Sequence, residues 1–199
     1  MTENPLFRKT APYRILLATQ SPRRQQYFRD LGLSFELVHI DVAEEYPEHL
    51  LGAAIARYLA ALKADAYDGQ LQQNDILITA DTVVWQDNRS LAKPQNSAEA
   101  RDMLQQLSGH WHEVITAVCF KTPSGKKVVS STTRVKFKSL SNEEISFYID
   151  HFRPFDKAGG YGIQEWIGFI GIEKLEGSYT NVVGLPTELV YKTLMDMVS

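Results

Sequence analysis

Short blocks of consecutive apolar residues alternate along the chain with stretches whose apolar positions recur every three or four residues. That is the rhythm of strands buried on both faces alternating with amphipathic helices. Ile15-Leu16-Leu17-Ala18 is the first block, and it ends in Thr19-Gln20-Ser21-Pro22. Ser21 can cap a helix, Pro22 fits its first position, and Gly32 sits where a left-handed residue would close it, so the pattern predicts strand, turn and a helix over 22–31. A second strand is predicted over 35–40. Leu51, Ile55, Tyr58, Leu59, Leu62 and Ala66 then keep helical spacing, with Lys63 near the end of that helix. Ile76-Leu77-Ile78-Thr79-Ala80 is another buried-type strand, and the carboxylate of Asp81 follows it directly, ahead of Thr82-Val83-Val84-Trp85.

The second half changes character. Asp87-Asn88-Arg89-Ser90 reads as a turn, and Asn96 or Ser97 can cap a helix that turns Met103, Leu104 and Leu107 inward and closes at Gly109. β-branched residues crowd 112–121 and 128–138, and Thr122-Pro123-Ser124-Gly125 between them marks a hairpin, so the sheet is mixed. Ser141-Asn142-Glu143-Glu144 is a capping box before a helix through Ile145, Tyr148 and Ile149. The stretch 153–165, RPFDKAGGYGIQE, breaks every periodicity and reads as a long loop, which in a compact domain is usually functional. A strand is predicted over 168–175, a turn over 177–180, and a final helix from Pro186 to about Met197. Residues 1–13 are polar and aperiodic and are expected to form a flexible leader, with 14–199 a single α/β domain undivided by any repeat or linker.

Composition narrows the possible partners. A length of 199 residues favours one domain. Lys and Arg number 21 against 24 Asp and Glu, a net charge of −3, so no blanket of positive charge exists to hold nucleic acid by counterion release. At 44% hydrophobic and 23% charged the chain is an ordinary globular one, and no apolar run reaches the roughly 20 residues that span a bilayer, so no membrane partner is expected. Cys119 is the only cysteine, and MTENPLFRKTAPYR lacks the apolar run of a secretory signal. The expected setting is the cytoplasm.

Absent motifs narrow the chemistry: no GxxxxGKS/T, GxGxxG, HExxH, GxSxG or CxxC occurs. His110 and His112 could share a strand face toward a metal, against the plainer reading of a turn residue and a hydrogen-bonded strand histidine. Cys119 lies within an apolar run and reads as a small buried hydrophobe. The strongest positive signal is Ser21-Pro22-Arg23-Arg24 directly after a buried strand. A helix N-terminus offers unpaired N–H groups and partial positive charge, and two guanidiniums add planar donors suited to phosphate oxygens. Solvated first-turn arginines are the plainer alternative, although without an anion they oppose the helix dipole. Asp81, just beyond a predicted strand, stands where open α/β sheets place ligand groups, to ligate Mg²⁺, to orient water, or only to cap a turn. Lys63, Lys93 and Lys157 add cations, and Glu44 and Glu45 add acids, whose meaning depends on whether the fold brings them together.

Taken in order, ATQSPRR, ADTVV, AKP, LSGHWHEVITAV, FDKAGGYGIQ and GSYTNVVGLP resemble the Maf family of nucleotide pyrophosphatases, from about Ile15 to the C-terminal helix. The resemblance implies a two-lobed α/β fold around a mixed, twisted sheet with flanking helices and a central cleft. It also implies a homodimer and cleavage of nucleoside triphosphates between the α and β phosphates with Mg²⁺ or Mn²⁺. By motif it makes Ser21, Arg23 and Arg24 the phosphate-side loop and Lys63, Lys93 and Lys157 charge partners of the substrate. Asp81 becomes the catalytic acid-base residue and a metal ligand, with Glu44 ahead of Glu45 as the second metal-binding acid. Arg23, Thr82 and Gln164 match the branch acting on dTTP and UTP, whereas the 7-methyl-GTP branch carries an aromatic residue, a glutamine and a glutamate at these places. A glutamine amide both donates and accepts, as the O4 and N3–H edge of uracil or thymine requires. The alternatives are a non-catalytic nucleotide-binding regulator of septum formation and a pyrophosphatase for 7-methyl-GTP or other purine triphosphates. Ala92, Gly160 and Thr180 depart from the residues commoner in the family, and Gly160 is expected to loosen its loop.

Overall fold

The structure, a computed structural model, describes residues 3–198. Arg14–Ala18 (β1) pairs in parallel with Asp75–Gln86 (β3), from Arg14 opposite Asp75 to Ala18 opposite Thr79. There β1 stops. β3 continues, turns through Asp87 and Asn88, both left-handed with φ of 50° and 61°, and hairpins into Arg89–Leu91 (β4), the twist-matched two-residue connection. On its other side β3 pairs antiparallel with Trp111–Thr122 (β5), which hairpins into Gly125–Phe137 (β6). With Glu36–Leu37 (β2) and Ile172–Glu176 (β7) at the edges, the result is a mixed seven-stranded sheet in the order β2-β1-β3-β5-β6-β7, β4 lying off that path.

Strand alternation decides what each helix covers. Leu16, Leu77, Val83, Ile115 and Ala117 point to one face and are covered by Ile55, Ala56, Leu59 and Ala60 of Ala53–Asp65 (α3). The opposite face carries two separate apolar clusters. At one end Ile15, Leu17, Ile78 and Val118 pack under Pro5–Thr10 (α1), Pro22–Asp30 (α2) and Thr187–Met197 (α8). At the other, Val84, Val114 and Val135 pack under Ser97–Leu107 (α4), Asn142–Phe152 (α5) and Trp166–Gly171 (α6). Between these clusters lies a polar rung, where Thr82 and Thr116 are cross-strand partners with hydroxyls 2.9 Å apart. The two lobes meet at that rung.

Five expectations are corrected. Within the leader, residues 5–10 form a helix: Asn4 caps α1, and Leu6 is fully buried, which is worth about 2 kcal/mol for a leucine. Six helical residues are too few for periodicity to reveal, and residues 1 and 2 lie outside the described part. The second strand shrinks to Glu36–Leu37 with one further bond from Val38 N to Leu17 O, after which the chain runs irregularly to α3. Asp81 lies inside β3, not after it, because β5 pairs the other edge of β3 from Leu77 through Trp85 and β4 pairs the strand again from Val84. The strand predicted over 168–175 divides into α6 and β7. Glycine is required at 168 for close packing, since a Cβ there would fall 1.8 Å from the Ile163 carbonyl oxygen. The turn predicted over 177–180 is confined to Gly177 and Ser178, since Tyr179 and Thr180 already belong to a short helix, Tyr179–Val183 (α7), capped by Ser178. No helix among the described residues is long and apolar enough to cross a membrane.

Candidate functional site

Where β1 ends and β3 runs on, the edge of β3 is uncovered, and a cleft of about 530 Å³ opens there, within the usual range for small-molecule sites. An uncovered edge exposes residues from both faces of the strand, which is why Asp81 and Thr82, pointing opposite ways, both line it. Of the other residues singled out in the sequence, Ser21, Arg23, Arg24, Glu44, Lys63, Lys93, Lys157 and Gln164 line it as well. Glu45 is exposed and does not.

The turn after β1 is built by local hydrogen bonds. Thr19 Oγ1 accepts from Ser21 N at 3.1 Å, and Ser21 Oγ caps α2 by accepting from Arg24 N at 3.4 Å. The two arginines that follow behave differently. Arg24 turns inward and donates to Ala80 O, Gly184 O and Thr82 Oγ1 at 2.8–2.9 Å, tying the turn to β3 just past its last residue paired with β1. Burial pushes its pKa below the ordinary arginine value, with Asp81 opposing that shift. Arg23 stays at the mouth of the cleft and donates to Asp156 Oδ2 at 3.3 Å. The paired guanidiniums expected from the sequence therefore divide into one that braces the wall and one that faces the cleft. Thr82, expected to act on specificity, touches Arg24 rather than Arg23.

Lys63, in the last turn of α3, lies between two acids, 2.6 Å from Asp81 Oδ1 and 2.8 Å from Glu44 Oε1. Lys93, on the loop after β4, is half-exposed and 3.8 Å from Glu44 Oε2. Burial raises the Glu44 carboxyl, but the hydrogen bond and charge of Lys63, aided by Lys93 and Arg24, outweigh it and hold the group below the usual carboxylate value. Asp81 is buried, and its Oδ2 has no hydrogen-bond partner among the described residues. These hard oxygen donors suit Mg²⁺ or Mn²⁺. Among the described residues no third acid, histidine or cysteine joins them, and a cation of this class, held by one or two carboxylates and completed by phosphate oxygens and water, needs none.

The 153–165 loop closes the far wall. Gly159 and Gly160 both take φ of +69° around a single 3-10 turn (Ala158–Gly160), and Gly159 N donates to Ala92 O. Gly160 thus supplies a left-handed residue to a held loop and does not loosen it. Lys157 pairs with Asp156 at 2.6 Å and Glu165 at 3.1 Å. For Asp156, burial works against ionisation, yet Lys157 and Arg23 prevail and keep its pKa below the ordinary value. The amide of Gln164 makes no hydrogen bond within the described residues and is open to the cleft.

Sequence reasoning passed over Asp156, Glu165 and Tyr148. Asp156 and Glu165 sit inside the loop marked as functional and both pair with Lys157 of that loop, while Arg23, the second partner of Asp156, comes from a distant segment. His110 and His112 form no metal pair: His110 is exposed in a turn, and His112 is buried, its Nε2 2.7 Å from the Tyr161 hydroxyl and its pKa pushed down to about 3 by burial. Cys119 is fully buried, and burial pushes its thiol up to about 11.

Known proteins are similar to this chain over nearly its whole length. A Flavobacterium johnsoniae protein named dTTP/UTP pyrophosphatase is 51% identical over 190 residues, covering 96% of this chain and 98% of that protein. Proteins of the same name from Flavobacterium psychrophilum and Bacteroides fragilis are 52% and 44% identical over 92% and 93% of this chain, covering 94% and 96% of their own lengths. The family described as Maf-like protein matches residues 14–197, and the chain belongs to that family.

Proposed function

We propose that this chain hydrolyses dTTP and UTP to the nucleoside monophosphate and pyrophosphate. The observation that carries this reading is the meeting, in one cleft, of two differently charged groups. Arg23 and Lys157 are joined through Asp156, and Asp81 and Glu44 are joined through Lys63. The names of relatives about half identical over nearly the whole chain support the substrate.

Phosphoryl and nucleotidyl transfers depend chiefly on charge neutralisation and in-line positioning. Arg23, Lys93 and Lys157 bind the β and γ phosphates, and the planar Arg23 fork matches two phosphate oxygens at once. Water attacks the α-phosphorus, the bond from that phosphorus to the α–β bridging oxygen breaks, and its electron pair leaves with pyrophosphate. Asp81 positions the attacking water and receives its proton at Oδ2. Lys63 holds Asp81 by the other oxygen, fixing the orientation of the carboxylate. Glu44 and Asp81 would hold a divalent cation, whose charge supports the α-phosphate when bound. Arg24 does not touch the phosphates but sets the wall against which they lie. Gln164 reads the base edge, donating and accepting as a pyrimidine O4 and N3–H pair requires.

Incubating the protein with Mg²⁺ and, in parallel, dTTP, UTP, GTP and 7-methyl-GTP tests this directly. Pyrophosphate and monophosphate appearing in equal amounts, fastest from dTTP and UTP, is the expected result. Release of single phosphates, a preference for a purine, or nucleotide binding without turnover contradicts it. The same reading takes the enzyme as a cytoplasmic homodimer, for which sedimentation equilibrium measures the oligomeric state.

A further inference from the structure

The loop that carries Lys157 has its own anchor, and the anchor is a tyrosine outside the cleft. Lys157 is only 8% exposed on its side chain, and an ammonium that deep must be paired. Its two acid partners differ in how firmly they are held. Asp156 is 61% exposed and uses its other oxygen on Arg23. Glu165 is 19% exposed, offers Oε1 to Lys157, and accepts at Oε2 a hydrogen bond from the Tyr148 hydroxyl. Tyr148 is fully buried on α5, its ring stacked on Phe152 with centroids 5.2 Å apart. The same hydroxyl oxygen accepts from Gly162 N at 3.0 Å. One hydroxyl therefore fixes the loop at two points on either side of Gln164.

We propose that Tyr148 and Glu165 are positioning residues, which hold the Lys157 ammonium against the pyrophosphate end of the substrate while an incoming phosphate chain displaces Asp156. The proposal rests on the reading of the cleft given above. A polyphosphate repels Asp156, which is exposed and free to swing aside, and takes over its place on Arg23 and Lys157. Glu165 cannot follow, because Tyr148 pins it from the core. Lys157 then keeps one fixed counter-charge and turns its remaining N–H groups to phosphate. Without the hydroxyl, Glu165 Oε2 and the Gly162 N–H lose their partner, so Glu165 is held only by Lys157 and no longer fixes it.

Tyr148→Phe keeps the ring and its stack and removes only the hydroxyl, whereas Glu165→Gln keeps the shape and removes the charge. Each is expected to lower kcat/KM for UTP about tenfold, the scale of a misplaced charge contact. A purely structural role would cost the same factor in any background, so the deciding measurement is a double-mutant cycle with Lys157→Met. If the anchor acts through Lys157, adding Tyr148→Phe to Lys157→Met costs less than about twofold. The cycle is repeated with binding of inorganic pyrophosphate to the metal-free protein, measured by calorimetry, where Tyr148→Phe alone weakens binding about fivefold and nothing further is lost on top of Lys157→Met. Failure of the wild type to hydrolyse UTP sinks the proposed function while the pyrophosphate cycle still judges the anchor. Losses that multiply in the cycle, wild-type affinity and turnover in Tyr148→Phe, or no pyrophosphate binding by the wild type overturn the anchor.

Discussion

Two groups of charges face each other across the cleft, and they are built in opposite senses. Around Lys63 two carboxylates share one well-placed ammonium, the exposed Lys93 standing further off. Around Asp156 one exposed carboxylate is shared by two cations, and Arg24 nearby donates only to neutral oxygens. Taken without the loosely held Lys93, the first group carries an excess of negative charge. In the second, Arg23 and Lys157 balance Asp156 and Glu165, and an excess of positive charge appears once the exposed Asp156 is displaced. Charges removed from bulk water are costly unless matched, so each group favours a ligand of the opposite sign. A divalent cation answers the first and a phosphate chain the second. A metal-bound triphosphate would supply both, and the proposed function rests on that match.

If that contrast is right, substitutions on the two sides must fail in different ways. The largest effect is expected for Asp81→Asn, which removes charge from the acidic side. Turnover of UTP falls about 10³-fold, the scale of a lost general base, while nucleotide still binds, as a single-turnover assay beside equilibrium dialysis would show. Lys157→Met acts on the other side and lowers kcat/KM about 10²-fold, the cost of one preorganised donor, chiefly through the phosphate contacts. Next come the adjacent arginines. Arg24→Lys breaks a three-way brace that an ammonium cannot reproduce and destabilises the fold by about 2–3 kcal/mol in urea unfolding. Arg23→Lys leaves stability within about 0.5 kcal/mol and changes KM severalfold, and equal destabilisation by both would erase the distinction between brace and ligand.

The smallest effect is a pH dependence. Glu44 and Asp156 both have folded pKa values held below their unfolded ones, so their stabilising contribution is present above the unfolded value and lost as pH falls through the lowered folded value. Both are substantially exposed, which limits each contribution to about 0–1 kcal/mol. Unfolding free energy should therefore lose a little below the ordinary carboxylate range, and Glu44→Gln should remove part of that loss without altering stability at neutral pH by more than the same amount.

How much of this the sequence revealed depended on the range of the interaction. β1, the capped start of α2 and the left-handed Gly32 are set by neighbours within one or two turns, and all three are where local pattern put them. The capping box at Ser141 and the β5–β6 hairpin were readable for the same reason. Asp81 does line the cleft, but the local pattern sets it at the end of a strand, because the continuation of β3 depends on β4 and β5, which come later in the chain. α1 escaped notice because one buried leucine in a six-residue helix leaves no periodic signature. In the cleft, residue types and order were informative, yet the separation of Arg23 from Arg24 was not. Which guanidinium turns inward is decided by Ala80, Thr82 and Gly184, far away in sequence. Tyr148 looked like one more core aromatic on α5, and only its distance to Gly162 and its bond to Glu165 distinguish it.

Separate binding titrations of Mn²⁺ and of metal-free pyrophosphate, on wild type, Asp81→Asn and Lys157→Met, test the two-sided cleft most directly. A crossed pattern is predicted: Asp81→Asn loses Mn²⁺ and keeps pyrophosphate, and Lys157→Met loses pyrophosphate and keeps Mn²⁺. If both variants weaken both ligands alike, the two sides are not separate and the account is wrong.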